Sequence, residues 1–392
     1  QARLVGSEMC IRDSLSALRD AVDSRRELAD PAGAWFTPEP MADDGQLALV
    51  FPGQGSQYPD MFRDLAIHFP VVREEIECAE SALENAFERP LGYYLFPPPA
   101  FSPEEKKRRA DALRDTRIAQ PALGAVERGG IRLLSDLGVT PDMVAGHSYG
   151  EYVALSAAGV FDSAELARVS EARGRWIVEA ATRDLGTMAA VNADGPTTAE
   201  AIAGLDEVWI ANYNSPSQTV ISGTTEAIAT AVDHLRDRGI DARQIPVSCG
   251  FHSPLVAAAR DRLAEILTTL PIAAPDRTVF SNATADRYPE DPRAVRELLS
   301  DHLVTPVRFV DEIAAMYDEG ARIFLEVGPK AVLTGLVKHN LKERPHLALS
   351  LDRPDRPGLL QLLHVLVHVL RSDPRFQQEI LGRAQSVPCL LY

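Results

Sequence analysis

The chain has 392 residues and a formal charge of −16, from 40 Lys and Arg against 56 Asp and Glu. At ~150 residues per domain, this length allows two or three domains, or one large one with an insertion. A 45% hydrophobic fraction excludes general disorder, and an acidic chain without a basic run is a poor nucleic-acid binder. No run approaches ~18 uninterrupted apolar residues, so no membrane span is expected; the longest apolar segment, 359–370, is broken by Gln361, His364 and His368. The four cysteines, Cys10, Cys78, Cys249 and Cys389, form no CxxC pair. That excludes a disulfide framework and a structural zinc site and fits a reducing cytoplasm. The stretch Leu4 to Ser14 and the ending Cys389 to Tyr392 look like translated adapter sequence and are set aside, which leaves two plausible native cysteines in what reads as part of a longer chain.

Residues Ser14 to Arg26 read as a helix and Asp30 to Gln46 as a linker punctuated by Pro31, Gly33, Pro38, Pro40 and Gly45. Leu47 to Phe51 reads as a buried strand running into the tight loop Pro52-Gly53-Gln54-Gly55. Met61 to Phe87 is helical in pattern. Phe96-Pro97-Pro98-Pro99 breaks the chain, and Ser102 caps a charged helix. Met143 to Ala145 predicts a strand, Tyr149 to Ala158 a helix stopped by Gly159, and Ile323 to Val327 a further buried strand. Between 187 and 246 the order is strand, helix, strand, strand, helix, strand, the ferredoxin-like split βαβ. The expected class is therefore α/β: an α/β-hydrolase-like large subdomain with an inserted ferredoxin-like small one. The expected boundaries are 1–46 for the N-terminal helix and linker, 47–351 for the catalytic domain and 352–392 for a C-terminal linker and helix.

Gly146-His147-Ser148-Tyr149-Gly150 is a G-x-S-x-G element between a strand and a helix, the setting of a nucleophile elbow. The flanking glycines permit the sharp turn, and the helix start supplies backbone N–H groups beneath the hydroxyl. Ser148 is the candidate nucleophile. His252, in Phe251-His252-Ser253-Pro254 just past the inserted subdomain, is the candidate base. The backbone N–H groups of Gln54 and Tyr149 are candidate oxyanion donors. The Gln54 loop is not a P-loop, because no Lys-Ser/Thr follows it. His68, His302, His364 and His368 read as ordinary surface or packing residues.

These motifs occur in order with Gln120-Pro121-Ala122-Leu123, Arg173-Gly174, Asn212-Tyr213-Asn214-Ser215-Pro216 and Glu326-Val327-Gly328-Pro329. The set resembles the malonyl-CoA:acyl-carrier-protein transacylase family, including acyltransferase domains of type I polyketide synthases and polyunsaturated fatty acid synthases. The resemblance covers about 47–351. It implies that Ser148 is acylated, that His252 is the base and that a main-chain carbonyl near Arg308 orients its ring. It implies that Gln54 belongs to the oxyanion hole and that Arg173 pairs with the free carboxylate of a malonyl group. His147, Gln120, Phe251 and Asn214, which sit in these motifs, are implied to bind substrate. Arg175 has no such role.

The implied substrates are malonyl-CoA and a phosphopantetheinylated acyl carrier protein, with no metal or redox cofactor. Phe251 favours malonyl over methylmalonyl, although Cys249-Gly250 departs from the His-Ala usual before it. The insertion Tyr93 to Thr116 resembles the iterative synthase branch, so a neighbouring ketosynthase and other synthase domains are implied partners. Lys330, Lys338 and Lys342 are candidates for meeting the carrier. Two other readings stay open here: a serine hydrolase or thioesterase, and a non-catalytic docking domain of a synthase.

Overall fold

The computed structural model describes residues 45–180, 184–247 and 249–372, with scattered positions over 17–36 and residue 375. Cys10, Cys389 and both set-aside ends lie outside the described residues. Two units separate along the chain. One runs from Gln46 to Leu362, and the other comprises the residues before and after it. In the second unit, Leu28–Asp30 (β1) pairs antiparallel with Ala34–Phe36 (β2), within a segment whose composition predicts linker.

The strands of the Gln46–Leu362 unit are β3 (Gln46–Phe51), β4 (Met143–Gly146), β5 (Thr187–Val191), β6 (Val208–Ser215), β7 (Gln218–Gly223), β8 (Ala242–Ile245), β9 (Thr278–Val279), β10 (Ala321–Glu326) and β11 (Leu347–Ser350). Five of them form a parallel sheet in the order β11-β10-β3-β4-β9. A parallel sheet needs helical crossovers, and its strands, covered by helices, read as unbroken apolar runs. β3 fits that pattern: Leu47 through Phe51 are all buried. Beside it, Phe309, Ile313, Met316, Leu333 and Val337 from two helices pack on Ala48, Val50 and Phe324. The predicted single helix over 61–87 is two, Arg63–His68 and Pro70–Ala82. Pro70 has no N–H to continue the first helix and is well suited to the first turn of the second. The charged helix Pro103–Ala112 is capped as expected: Ser102 Oγ accepts from Glu105 N, while Glu105 accepts from Phe101 N.

The inserted subdomain is a four-stranded antiparallel sheet in the order β6-β7-β5-β8. Its helices, Gly195–Ile202 and Thr225–Asp237, share one apolar cluster with Ala189, Val191 and Ile221. Alternation along a strand then sends Met188 and Val220 to the opposite face, where they line the cleft described below. The subdomain is tied to the large one by a parallel bridge between Asn212 and Val307. Tyr213 N donates to Val307 O, and Val307 N to Ala211 O, each at 2.8 Å.

The segment after β11, which reads as a linker, is bonded back onto the body. Gly358 N donates to Asp64 Oδ2 at 2.8 Å and Gln361 Nε2 to Ser350 O at 2.5 Å. Among the described residues, no helix is long and apolar enough to cross a membrane.

Candidate active site

The C-terminal ends of β3 and β4 lie side by side, and in open α/β sheets ligands bind at such strand ends. The loop after β3 carries Gln54, and the turn after β4 carries Ser148. The turn is as tight as the sequence requires. A Cβ on Gly146 would come within 2.0 Å of Gly150 C, and one on Gly150 within 1.9 Å of Phe51 O. Ser148 adopts φ 53°, a left-handed conformation costly for a non-glycine residue. His252 is also left-handed, at φ 56°.

Ser148 Oγ and His252 Nε2 stand 2.7 Å apart. His252 Nδ1 faces two carbonyls, Thr305 O at 2.9 Å and His302 O at 3.2 Å. Carbonyls only accept, so Nδ1 carries the proton and Nε2 is free to accept from the serine hydroxyl. This corrects the expected carbonyl near Arg308. The bridge to β6 and the start of the helix Phe309–Asp318 turn that segment so that Thr305 and His302 face the ring instead. Arg308 pairs with Asp311 at 2.8 Å.

His302, expected as a surface or packing residue, is a packed one, and it packs on the base. It is 1% exposed, and its ring lies edge-on to His252 at 5.4 Å. Its Nε2 is 3.7 Å from Glu151 Oε2. Burial, then the Arg173 charge, lowers the His252 pKa to about 3. Burial and the neighbouring His252 push His302 well below the usual imidazole range. The His252 ring therefore stays neutral at any physiological pH, which is the form a general base needs. Because the competent form is lost only near pH 3, the acylation rate measured by rapid quench should stay flat from pH 8 to pH 5. An ordinary imidazole would lose roughly thirtyfold over that range. A sigmoidal loss centred near pH 6.5 would show the base to be another group.

Ser148 and His252 open onto a cleft of about 570 Å³ between the subdomains. The large subdomain contributes Gln54, His147, Tyr149 and Arg173, and the small one Met188, Val220 and Ile245. Phe251 also lines it. Arg173 sits on the helix Ser163–Ala180 and is 1% exposed. Its guanidinium lies 5.3 Å over the Tyr152 ring, and its Nε and Nη2 have no hydrogen-bond partner among the described residues. A buried cation with unused donors at a cleft wall is a site for an anion. Arg175 pairs with Glu171 at 3.1 Å and stacks on Trp176, on another face of the helix.

Gln54 is held by its side chain, which donates to Arg114 O at 3.3 Å and accepts from Thr116 Oγ1 at 2.8 Å. Gln54 lines the cleft from this position. A Cβ on neighbouring Gly53 would lie 2.5 Å from His147 O, so the loop packs directly on the elbow. Tyr149 is fully buried, and its hydroxyl meets Ser170 Oγ at 2.7 Å.

Two expected substrate residues do not line the cleft. Gln120 is wholly buried and donates to Thr116 Oγ1 at 2.7 Å, so it braces the Gln54 loop. Asn214 accepts from His147 Nε2 at 2.8 Å and orients that ring. Lys330 borders the cleft and donates to Gly55 O at 2.9 Å, whereas Lys338 and Lys342 are exposed elsewhere on and just after the helix Val332–Asn340. Arg114, Met188, Val220 and Ile245 were not singled out by motif. For the three apolar ones the strand alternation was the only available signal. No group of three or more His, Cys, Asp or Glu side chains arranged to hold a metal occurs among the described residues.

The sequence profile described as "Acyl transferase domain" matches residues 48–366. A polyunsaturated fatty acid synthase polypeptide of Thraustochytrium sp. is 34% identical over 327 residues, 80% of this chain and 11% of that polypeptide. The chain thus spans about a tenth of the length of that relative. The malonyl CoA-acyl carrier protein transacylase of Bacillus subtilis is 34% identical over 312 residues, 78% of this chain and 93% of the relative. Among solved structures, a malonyl-transacylase in complex with its type II polyketide-synthase acyl-carrier protein superposes with a TM-score of 0.70 at 33% identity, covering 82% of this chain and 99% of that one.

Proposed function

The chain belongs to the acyl transferase domain family, and from that membership and the site geometry we propose that it moves a malonyl group from malonyl-CoA, through an ester on Ser148, to the phosphopantetheine thiol of an acyl carrier protein, in fatty-acid or polyketide synthesis. One observation carries the choice of acyl group: the buried Arg173 guanidinium, with unused donors, in the same cleft as the Ser148–His252 pair. A malonyl thioester presents a carbonyl to the serine and a free carboxylate to such a cation. Arginine suits this because its planar fork can grip both carboxylate oxygens.

The steps follow from the geometry. His252 Nε2 takes the Ser148 proton as Oγ attacks the thioester carbonyl. The oxyanion lies against the backbone N–H groups of Gln54 and Tyr149. The intermediate collapses, CoA leaves as its thiol with the proton returned by His252, and malonyl remains on Oγ. The carrier's thiol then gives its proton to His252, attacks the ester and restores Ser148. The acyl group passes from one thioester to another by way of an oxygen ester with no change of oxidation state, so the proposed chemistry calls for no redox group.

Phe251, buried at the cleft wall, takes space an α-methyl would need, which supports malonyl over methylmalonyl. We place the reaction in the cytoplasm, where both described cysteines, Cys78 and Cys249, remain as the free thiols seen here. We also place it beside a ketosynthase and other synthase domains, on the strength of the much longer relatives.

The test is competition among acyl-CoAs. Given a mixed pool, the protein should accumulate the mass of a malonyl ester. Arg173→Ala should lower the malonyl preference over acetyl by about 2 kcal/mol, roughly thirtyfold, the scale of a hydrogen bond to a charged group. An unchanged preference would remove Arg173 from the site. Fast release of free malonate without any carrier would instead establish a hydrolase.

A further inference from the structure

Asn282 lies in the loop after β9 and is fully buried. Its carboxamide holds the nucleophile turn from both sides. Oδ1 accepts from Ser148 N–H at 2.7 Å, and Nδ2 donates to Gly146 O. The same Nδ2 donates to Glu312 Oε2 at 2.9 Å. The Asn282 backbone N–H donates to Glu151 Oε2 at 2.7 Å, and its carbonyl accepts from Arg308 N at 2.9 Å. Every polar group of the residue is used, which marks a designed point in a buried network rather than a filler.

The location gives those bonds a purpose. Ser148 is left-handed, so its N–H points into neither the β4 ladder nor the following helix. A side-chain acceptor from outside must meet it, and Asn282 does. Glu151, the next partner, also takes the Tyr288 hydroxyl and lies 3.7 Å from His302 Nε2. His302 in turn offers its carbonyl to His252. Through the Arg308 N–H that its carbonyl accepts, Asn282 is also tied to the segment whose His302 and Thr305 carbonyls hold the base.

We propose that Asn282 is a positioning residue that sets the attack geometry of Ser148 by clasping the peptide groups on either side of His147 and anchoring them to Glu151 and to the 302–308 segment that holds the base. It touches no reacting atom. The proposal rests on Ser148 being the nucleophile, but not on the identity of the acyl donor or acceptor.

The test uses a fluorophosphonate probe, which reports the reactivity of the serine alone, beside malonyl-CoA kinetics. Asn282→Ala should slow probe labelling and kcat by tenfold to a hundredfold, with KM for malonyl-CoA within twofold, because Arg173 and the cleft walls are untouched. Asn282→Asp preserves volume and the acceptor for Ser148 N–H. Its second oxygen, however, faces Glu312 and Gly146 O, with Glu151 beside the backbone, so it fits only when the new carboxyl and Glu312 together carry enough protons to replace the lost N–H donors. Its labelling rate should therefore rise as pH falls from 8 to 5.5, while the parent protein stays flat. Should the alanine variant fail to fold by circular dichroism, the aspartate variant carries the test. Labelling within twofold of the parent for Asn282→Ala, or an aspartate pH profile parallel to the parent's, overturns the proposal. Labelling that survives Ser148→Ala would instead overturn the nucleophile assignment beneath it.

Discussion

Ser148→Ala is expected to abolish the acyl-enzyme completely and to cut overall transfer by on the order of 10⁴ or more. The reason is covalent. Neighbouring groups are not placed for the role: Tyr149 Oη is buried against Ser170, and Cys249 is buried with its thiol pKa pushed up to about 12, chiefly by burial. A thiol held protonated is a poor nucleophile. The variant retains Arg173 and the cleft, so it should still bind malonyl-CoA. Intact mass spectrometry after incubation with malonyl-CoA reads the result directly, and a persisting covalent adduct would refute the assignment.

His252→Ala is expected to slow acylation and transfer to the carrier alike, each by on the order of 10² to 10⁴. The symmetry is the informative part. In the proposed mechanism one imidazole serves both half-reactions, since its Nδ1 meets the Thr305 and His302 carbonyls and its Nε2 meets Ser148 Oγ. Rapid-quench measurement of acyl-enzyme formation, then of its consumption by carrier, separates the two rates. A loss confined to one of them would mean that a different group handles the other proton. His147 adjoins Ser148 in the chain and lines the same cleft, but its Nε2 is engaged with Asn214 and its pKa is lowered by burial.

Some of this organisation is local and therefore legible in a single chain. A glycine pair around a serine, a strand before and a helix after are constraints between neighbours in sequence, and the clashes at Gly146 and Gly150 show why the pattern is needed. The alternating and helical periodicities of 187–246 likewise foretell the inserted antiparallel sheet. The short strands β9 and β11 escape that reading. β9 has two residues, and β11 is one apolar run among several, so their existence depends on the partner strand each meets.

The base and its orientation mark the boundary between the two kinds of knowledge. Motif order alone was enough to single out His252 beside Ser148, 104 residues apart in the chain and 2.7 Å apart in space. It misplaced the orienting carbonyl at Arg308 and passed over His302, Asn282 and Glu151, since a carbonyl has no residue signature and a buried polar network has no period. The class of fold and the acidic balance of −16 were legible along the chain, and motif order was enough to nominate Ser148 and His252 as the reacting pair. It took the folded chain to show which carbonyls hold the imidazole, that Gln120 and Asn214 brace the site rather than line it, and that Arg173 is a buried cation with donors unpartnered among the described residues. Those facts arise where elements distant in the chain pack together, as Thr116 meets Gln54 and His252 meets Thr305, so proximity in space has no counterpart in spacing along the chain.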